Sequence, residues 1–333
     1  GGRAAASVWY KVREIALAQS DFSLNEEHRT LVVQNLTELR DSVWETMSLN
    51  TRKAYQSDFN QYLKFCRAHA LPALASDWKI TKTACQAFFD ELMASELKHH
   101  TIKRKLASVR FFIGVSELPD PWKHSKLFSR YVNGRLKEKP AAQKQAKPLK
   151  LNDVRVANRV LNVDSLLGLR DAVLVNVALD TLFRASNILA IEVNHIDWQA
   201  KTVFAPRSKT DQSGEGHYGY LSDETAELLT KWLDNAKITD GYIFRKLSPK
   251  QTVQKEPMQY QALLKRYEAI GMAINTDGKF TCHSTRTGGV LTLMEADVPM
   301  AEIVLSGNWK SEAMAIRYAQ QYQAGKTGMA KVR

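Results

Sequence analysis

The stretch RLKEKPAAQKQAKPLK, residues 135–150, decides how the chain is read. Two prolines, no aromatic residue and a high density of lysine make a poor core and a good spacer. It divides the 333 residues into two parts, each of a size typical of a folded domain. The boundaries expected are an arm over 1–25, a helical domain over 26–134, a basic linker over 135–150 and a second domain over 151–333. The opening GGRAAAS lacks the apolar core of a signal segment and reads as an expression remnant or a flexible arm.

Upstream of the spacer the sequence reads as helix almost throughout. In TRKAYQSDFNQYLKFCRAHA, residues 51–70, Tyr55, Phe59, Tyr62, Leu63 and Cys66 fall on one face of a 3.6-residue period. HHTIKRKLASVRFFIGVS, residues 99–116, places Ile102, Leu106, Val109 and Phe112 on such a face and Lys103, Arg104, Lys105 and Arg110 around the rest. One basic stripe is ordinarily a solvated surface. Two basic helices and a lysine-rich spacer together favour a surface that meets a polyanion.

Downstream the pattern is mixed. LGLRDAVLVNVALDTLF, residues 167–183, is apolar nearly all round and predicts a buried central helix. KTVFAPRSKTDQSGEGHYGYLS, residues 201–222, predicts two strands joined by a polar turn, with a helix starting after Ser222. PMQYQALLKRYEAIGMAI predicts a helix, and DVPMAEIVLSGNWKSEAMAIRYAQQYQ two short ones broken at Gly307. The fold class expected is an all-α bundle followed by a mainly α (α+β) domain with a small antiparallel sheet.

The formal net charge of +12 favours an anionic partner, nucleic acid being the commonest. Three widely spaced cysteines suit a reducing compartment and give no disulfide framework. No C-x-x-C or clustered histidines provide a metal site, and no apolar run is long enough to span a bilayer. A soluble cytoplasmic protein without metal or membrane partner is expected.

Several residues of the second part are odd as structure alone. Arg184 follows a very apolar helix, and Lys209 lies beside the hairpin turn. His283 and Arg286 form H-x-x-R in CHSTRTGG, and Trp309 in GNWKS stands nine residues before Tyr318. Singly, each has a plain explanation: an ion-paired arginine, a solvated lysine, a hydrogen-bonded core histidine, a core indole, or ring packing between Tyr318 and Tyr322. Jointly they supply what attack on a phosphodiester needs. Two guanidinium forks can hold the non-bridging oxygens, and an indole N–H can donate to one of them. A histidine can take a proton from the tyrosine hydroxyl or hold the phosphate, and a mobile lysine can protonate the leaving oxygen.

The order Arg184 in TLFRASNIL, Lys209 in SKT, His283 and Arg286 in HSTR, Trp309 in GNW and then Tyr318 resembles the tyrosine recombinases, and within them the Cre-like branch. The resemblance covers about residues 30–333. It implies that Tyr318 attacks the scissile phosphate, giving a 3′-phosphotyrosyl link and a free 5′-hydroxyl, without any cofactor. It implies a double-stranded DNA target of paired inverted repeats, a homotetramer on two such sites and exchange through a Holliday junction. It further implies a two-domain clamp around the duplex and docking of the tail after Tyr318 into a neighbouring subunit. Trp309 stands where the family more often has a second histidine. Asn187 departs from the acidic residue usual three positions after the first arginine, and an amide cannot supply that negative charge.

For DNA contact the sequence offers Arg52, Lys53, Thr101, Lys103 and Arg104 in the first domain. In the second it offers Gln261, Lys265 and Arg266 on the helix resembling the family's major-groove helix, either for base reading or for plain backbone contact. The rival functions are a type IB topoisomerase or telomere resolvase, which share this chemistry, and a DNA-binding protein impaired in catalysis.

Overall fold

A computed structural model of the chain describes residues 21–140, 144–206, 215–323 and 328–332, at 321–323 by the backbone alone. The chain divides into two compact units, residues 1–143 and 144–333.

The first unit is helical, as its periodicity dictates. Its helices are α1 (Glu26–Glu38), α2 (Leu49–Ala68), α3 (Trp78–Ala94), α4 (His99–Val115), the single turn α5 (Pro121–His124) and α6 (Lys126–Leu136). The two-residue strands β1 (Phe22–Ser23) and β2 (Leu74–Ala75) pair in parallel beside them. Ser48 starts α2 by accepting from the Thr51 amide at 3.2 Å, one of the donors a helix start leaves open. The apolar face read from α2 meets that of α4 in the core, where Phe59 and Phe112 stack at 4.2 Å. Between these helices lies a buried carboxylate. Asp58 accepts from Arg104 at 2.7 Å, Lys105 at 3.2 Å and Ser108 at 2.8 Å.

The second unit is built around α8 (Leu166–Thr181), with 13 of its 16 residues buried, which makes it the central helix. Around it lie α7 (Leu151–Val160), α9 (Ala185–Leu189), α10 (Asp223–Asn235), α11 (Tyr260–Ala273), α12 (Ser284–Glu295), α13 (Met300–Gly307) and α14 (Glu312–Gln323). Strands β3 (Ile196–Asp197), β4 (Thr202–Ala205) and β5 (His217–Tyr220) form an antiparallel sheet, with Val203 opposite Gly219 and Ala205 opposite His217. A second hairpin pairs β6 (Arg245–Leu247) with β7 (Val253–Pro257). Ser222 caps α10, as its sequence position predicts. The third strand and the second hairpin are additions to the expected pair of strands. Both involve segments too short, or too polar in the case of VQKEP, to show a two-residue alternation.

Two apolar clusters fill this unit. The larger surrounds α8 and includes Phe183, Trp232, Tyr267 and Phe280. The smaller joins α12, α13 and α14 through Val290, Ile303, Trp309, Ala315 and Ala319, and Leu182 is buried in it. Part of the stretch read as linker belongs to these elements. Arg135 and Leu136 close α6, while Leu149 is buried in the larger cluster and donates its amide to the Ser284 carbonyl at 2.9 Å. Lysine density hid this one apolar anchor.

Gly288 makes that docking possible: a Cβ there would lie 1.8 Å from the Leu149 carbonyl oxygen. The atoms it would meet are backbone, so the overlap has no side-chain relief. Gly288→Ala is expected to destabilise the fold by about 3 kcal/mol, the upper end of overpacking costs, read as a lowered midpoint in calorimetry. An unchanged midpoint would contradict the packing described.

Candidate active site

The site forms where three chain breaks meet. The central helix α8 ends at Leu182, which adopts a left-handed conformation at φ 54° and exposes its carbonyl. Phe183 buries itself in the core, and Arg184 then emerges to begin α9, its side chain exposed. Helix α12 starts after His283 and carries Arg286 inward, one turn along. Helix α13 ends at Gly307, and Asn308 turns the chain in the left-handed region at φ 51°. Gly307 has no Cβ to block this return: one would fall 1.8 Å from the Trp309 ring. On α14, Ala315 and Ala319 are fully buried, and these small residues bring that helix close enough to set Tyr318 beside the cluster.

Arg286 is the centre. It is 1% exposed, yet among the described residues no carboxylate pairs with it. Its Nη1 donates to the Leu182 carbonyl, and its Nη2 lies 3.5 Å from the Gly307 carbonyl. Both acceptors stand at helix C-termini, where backbone carbonyls lack intrahelical partners and carry the negative end of the helix dipole. The guanidinium also lies 4.5 Å from the Trp309 ring centroid and 5.3 Å from that of Tyr318, within cation–π range. Trp309 and Tyr318 are themselves 5.4 Å apart, tilted at 54°. Burial lowers the Arg286 pKa, Tyr318 opposes the shift, and the charge of Arg184 adds to it. Two buried donors, Arg286 Nε and Trp309 Nε1, have no hydrogen-bond partner among the described residues. Unsatisfied buried donors are uncommon and costly. Here both border a half-buried tyrosine.

His283 is an exposed residue whose ring is nonetheless partly desolvated. That desolvation, followed by the positive charges of Arg286 and Arg184, lowers its pKa below the ordinary histidine value. The structure brings Arg286, Trp309 and Tyr318 into contact, and the charges of Arg184 and Arg286 act on His283. Lys209 lies outside the described residues. Asn187 is half-buried in α9 and donates its amide to the Arg184 carbonyl at 2.9 Å, the ordinary bond of a helix start.

The expected DNA-contacting residues divide into exposed and engaged. Lys53, Lys103, Gln261 and Lys265 are exposed, and Thr101 is half-buried. Arg52 meets Glu45 at 2.5 Å, and Arg104 meets the buried Asp58. Arg266, offered for base reading or for backbone contact, is engaged within the fold. It holds the buried Asp171 through its Nε and Nη2, at 3.0 and 2.8 Å, and so ties α11 to α8. Charge patterning along α11 alone gave no sign of a carboxylate coming from another helix. Sequence reasoning also missed the Leu182 and Gly307 carbonyls, because a backbone acceptor leaves no residue-type signature.

With this geometry in hand, residues 149–324 match the phage integrase family, and residues 42–114 match the N-terminal SAM-like domain of phage integrases. The chain belongs to the phage integrase family; it is a tyrosine recombinase, an enzyme of the DNA strand-transferase class. An integrase/recombinase xerD homolog from Selenomonas ruminantium is 25% identical over 286 residues, covering 82% of each chain. The Tn1549 transposon integrase, solved with transposon right-end DNA, superposes with a TM-score of 0.63 at 12% identity, over 91% of this chain and 97% of that one. XerH recombinase bound to palindromic difH in a post-cleavage complex gives 0.58 at 12% identity, over 93% and 90%. These solved structures share the fold: a helical domain followed by a mostly helical one with small antiparallel sheets.

Both desolvation and neighbouring positive charge disfavour the imidazolium and lower the His283 pKa. Its Cε1 proton is expected to titrate by NMR with a midpoint below that of a free histidine. Arg184→Gln removes one of the positive charges and should raise that midpoint. A midpoint at or above the ordinary value, unmoved by the substitution, would contradict the site's electrostatics.

Proposed function

We propose that the chain is a site-specific DNA recombinase in which Tyr318 is the nucleophile. The observation that carries this reading is a buried guanidinium, Arg286, that among the described residues has no carboxylate partner and lies beside an indole N–H without an acceptor there and a half-buried tyrosine. A phosphodiester is the anion that fits such a set. Its non-bridging oxygens would take the donors of Arg286 and Arg184, and Trp309 Nε1 would donate to one of them.

In the cleavage step the Tyr318 oxygen forms a bond to phosphorus while the bond from phosphorus to the 5′-oxygen breaks. The tyrosine proton passes to neutral His283 or to solvent, and Lys209 supplies the proton taken up by the 5′-oxygen. The phosphoryl group remains esterified to tyrosine, so bond energy is retained and the 5′-hydroxyl of a partner strand can reverse the step. No cofactor enters this scheme. Trp309 in place of a histidine supports the Cre-like branch. The remainder of the proposal follows from family likeness: inverted-repeat targets, a homotetramer joining two sites, a Holliday junction and action in the cytoplasm.

Asn187 favours one second reading, a DNA-binding protein impaired in strand cleavage. A single assay separates the two. A duplex selected by the chain from a random-sequence pool, nicked so that religation is blocked, should trap a covalent protein–DNA adduct. Tyr318→Phe should remove the adduct while DNA affinity changes less than about threefold. Adduct formation by Tyr318→Phe would overturn the nucleophile, whereas binding without adduct by the unmodified chain would favour the second reading.

Lys209→Ala should slow cleavage by about 10²-fold, within the usual range for a lost general acid. A 5′-bridging sulfur, whose thiolate leaves without protonation, should restore the rate. Persistence of the defect on that substrate would remove Lys209 from the role. A topoisomerase would instead relax plasmid lacking the selected sequence as fast as plasmid carrying it.

A further inference from the structure

We infer that Leu182 is a positioning residue for Arg286, set in place by the cleft that Gly289 leaves for its side chain. This rests on the reading of Arg286 as the phosphate-holding guanidinium. Three observations converge on it. Leu182 is one of the non-glycine residues at positive φ, 54°, a conformation disfavoured for a branched apolar side chain. Its carbonyl, freed by ending α8, accepts from Arg286 Nη1. Its side chain occupies the space over Gly289: a Cβ on Gly289 would lie 2.1 Å from Leu182 Cδ2 and 3.5 Å from Cγ.

These contacts form a closed loop of constraint. Gly289 lies three residues after Arg286 on α12, so one helix presents both the guanidinium and the notch. Leu182 answers both, its side chain filling the notch and its carbonyl meeting the guanidinium. The left-handed turn lets one residue do this, because it directs carbonyl and side chain toward the same helix. Burial in the small cluster, where Leu182 is 2% exposed, offsets the cost of the left-handed conformation. Backbone strain retained beside a functional group is a known way of fixing its geometry. The second acceptor, Gly307 at 3.5 Å, is too long to hold the fork alone.

The consequence concerns charge placement. If Leu182 moves, Arg286 keeps its charge and remains folded into the unit, but its fork no longer faces the phosphate. The loss should therefore show only where the substrate carries a negative non-bridging oxygen.

The test uses the nicked, selected duplex in two forms, one with the ordinary scissile phosphate and one with an uncharged methylphosphonate there. Gly289→Ala should slow single-turnover adduct formation on the phosphate about 30-fold, somewhat less than losing an oxyanion donor outright. On the methylphosphonate, its rate should fall within about threefold of the unmodified chain. Adding Leu182→Ala removes the clashing methyl, and the double variant should be faster on the phosphate than Gly289→Ala alone. Should Gly289→Ala fail to fold, as judged by its thermal midpoint, the comparison moves to Leu182→Ala, which should show the same substrate dependence. Equal slowing on both substrates would overturn the proposal, since general loosening of the cluster does that. So would a double variant slower than both single ones. Arg286→Ala serves as reference. If the methylphosphonate leaves that variant unrelieved, the reading of Arg286 itself fails and the role of Leu182 falls with it.

Discussion

A guanidinium buried with no carboxylate partner among the described residues governs the architecture of the second unit. Removing a charge from water costs several kcal/mol even after the protein relaxes, and the usual remedy is an ion pair. Arg286 has instead two helix-end carbonyls and the faces of two aromatic rings. Each of those partners requires a chain break in a particular place: α8 must stop at Leu182, α13 at Gly307, and α14 must come close enough to bring Tyr318. An internal carboxylate would have stabilised the arginine more simply and would also have neutralised it. Leaving the charge open reserves it for an anion from outside, which is the sense in which fold and proposed chemistry are one arrangement.

The contrast with the other buried charges supports this. Asp58 is surrounded by Arg104, Lys105 and Ser108, and Asp171 is held by Arg266. Those charges are satisfied within the chain and tie one helix to another. Arg170 beside them, its pKa lowered to about 10 mainly by burial, donates to the Arg245 carbonyl and has the charge of Asp171 nearby. The Nε of Arg170, like that of Arg286, has no partner among the described residues, so what distinguishes Arg286 is the pair of aromatic rings against it and the Trp309 indole N–H, also without a partner among the described residues.

Much of this was legible in the residues. The 3.6-residue apolar faces of α2 and α4, the all-round apolar α8 and the cap at Ser222 come directly from periodicity and capping chemistry, and the ordered set from Arg184 to Tyr318 marked the site. What could not be read is equally physical. A carbonyl acceptor belongs to every residue type, so Leu182 and Gly307 carried no signal as partners, and a positive φ at leucine runs against propensity. The Arg266–Asp171 pair joins two helices far apart in sequence, and Leu149 sits alone among lysines. The two glycines of HSTRTGG were visible, but their reason lies in the backbone and side chain packed against them, Leu149 for Gly288 and Leu182 for Gly289.

The central claim is that Tyr318, and not its neighbour one turn along, receives the phosphoryl group. Tyr318 contacts Trp309 and Arg286, whereas Tyr322 has no matching position in the ordered set. The most direct measurement is mass spectrometry of the trapped adduct after nuclease and trypsin digestion. Cleavage after Arg317 releases YAQQYQAGK, residues 318–326, with both tyrosines on one peptide. Fragmentation is expected to place the nucleotide mass on Tyr318. Finding it on Tyr322, or on any peptide other than this one, would contradict the account.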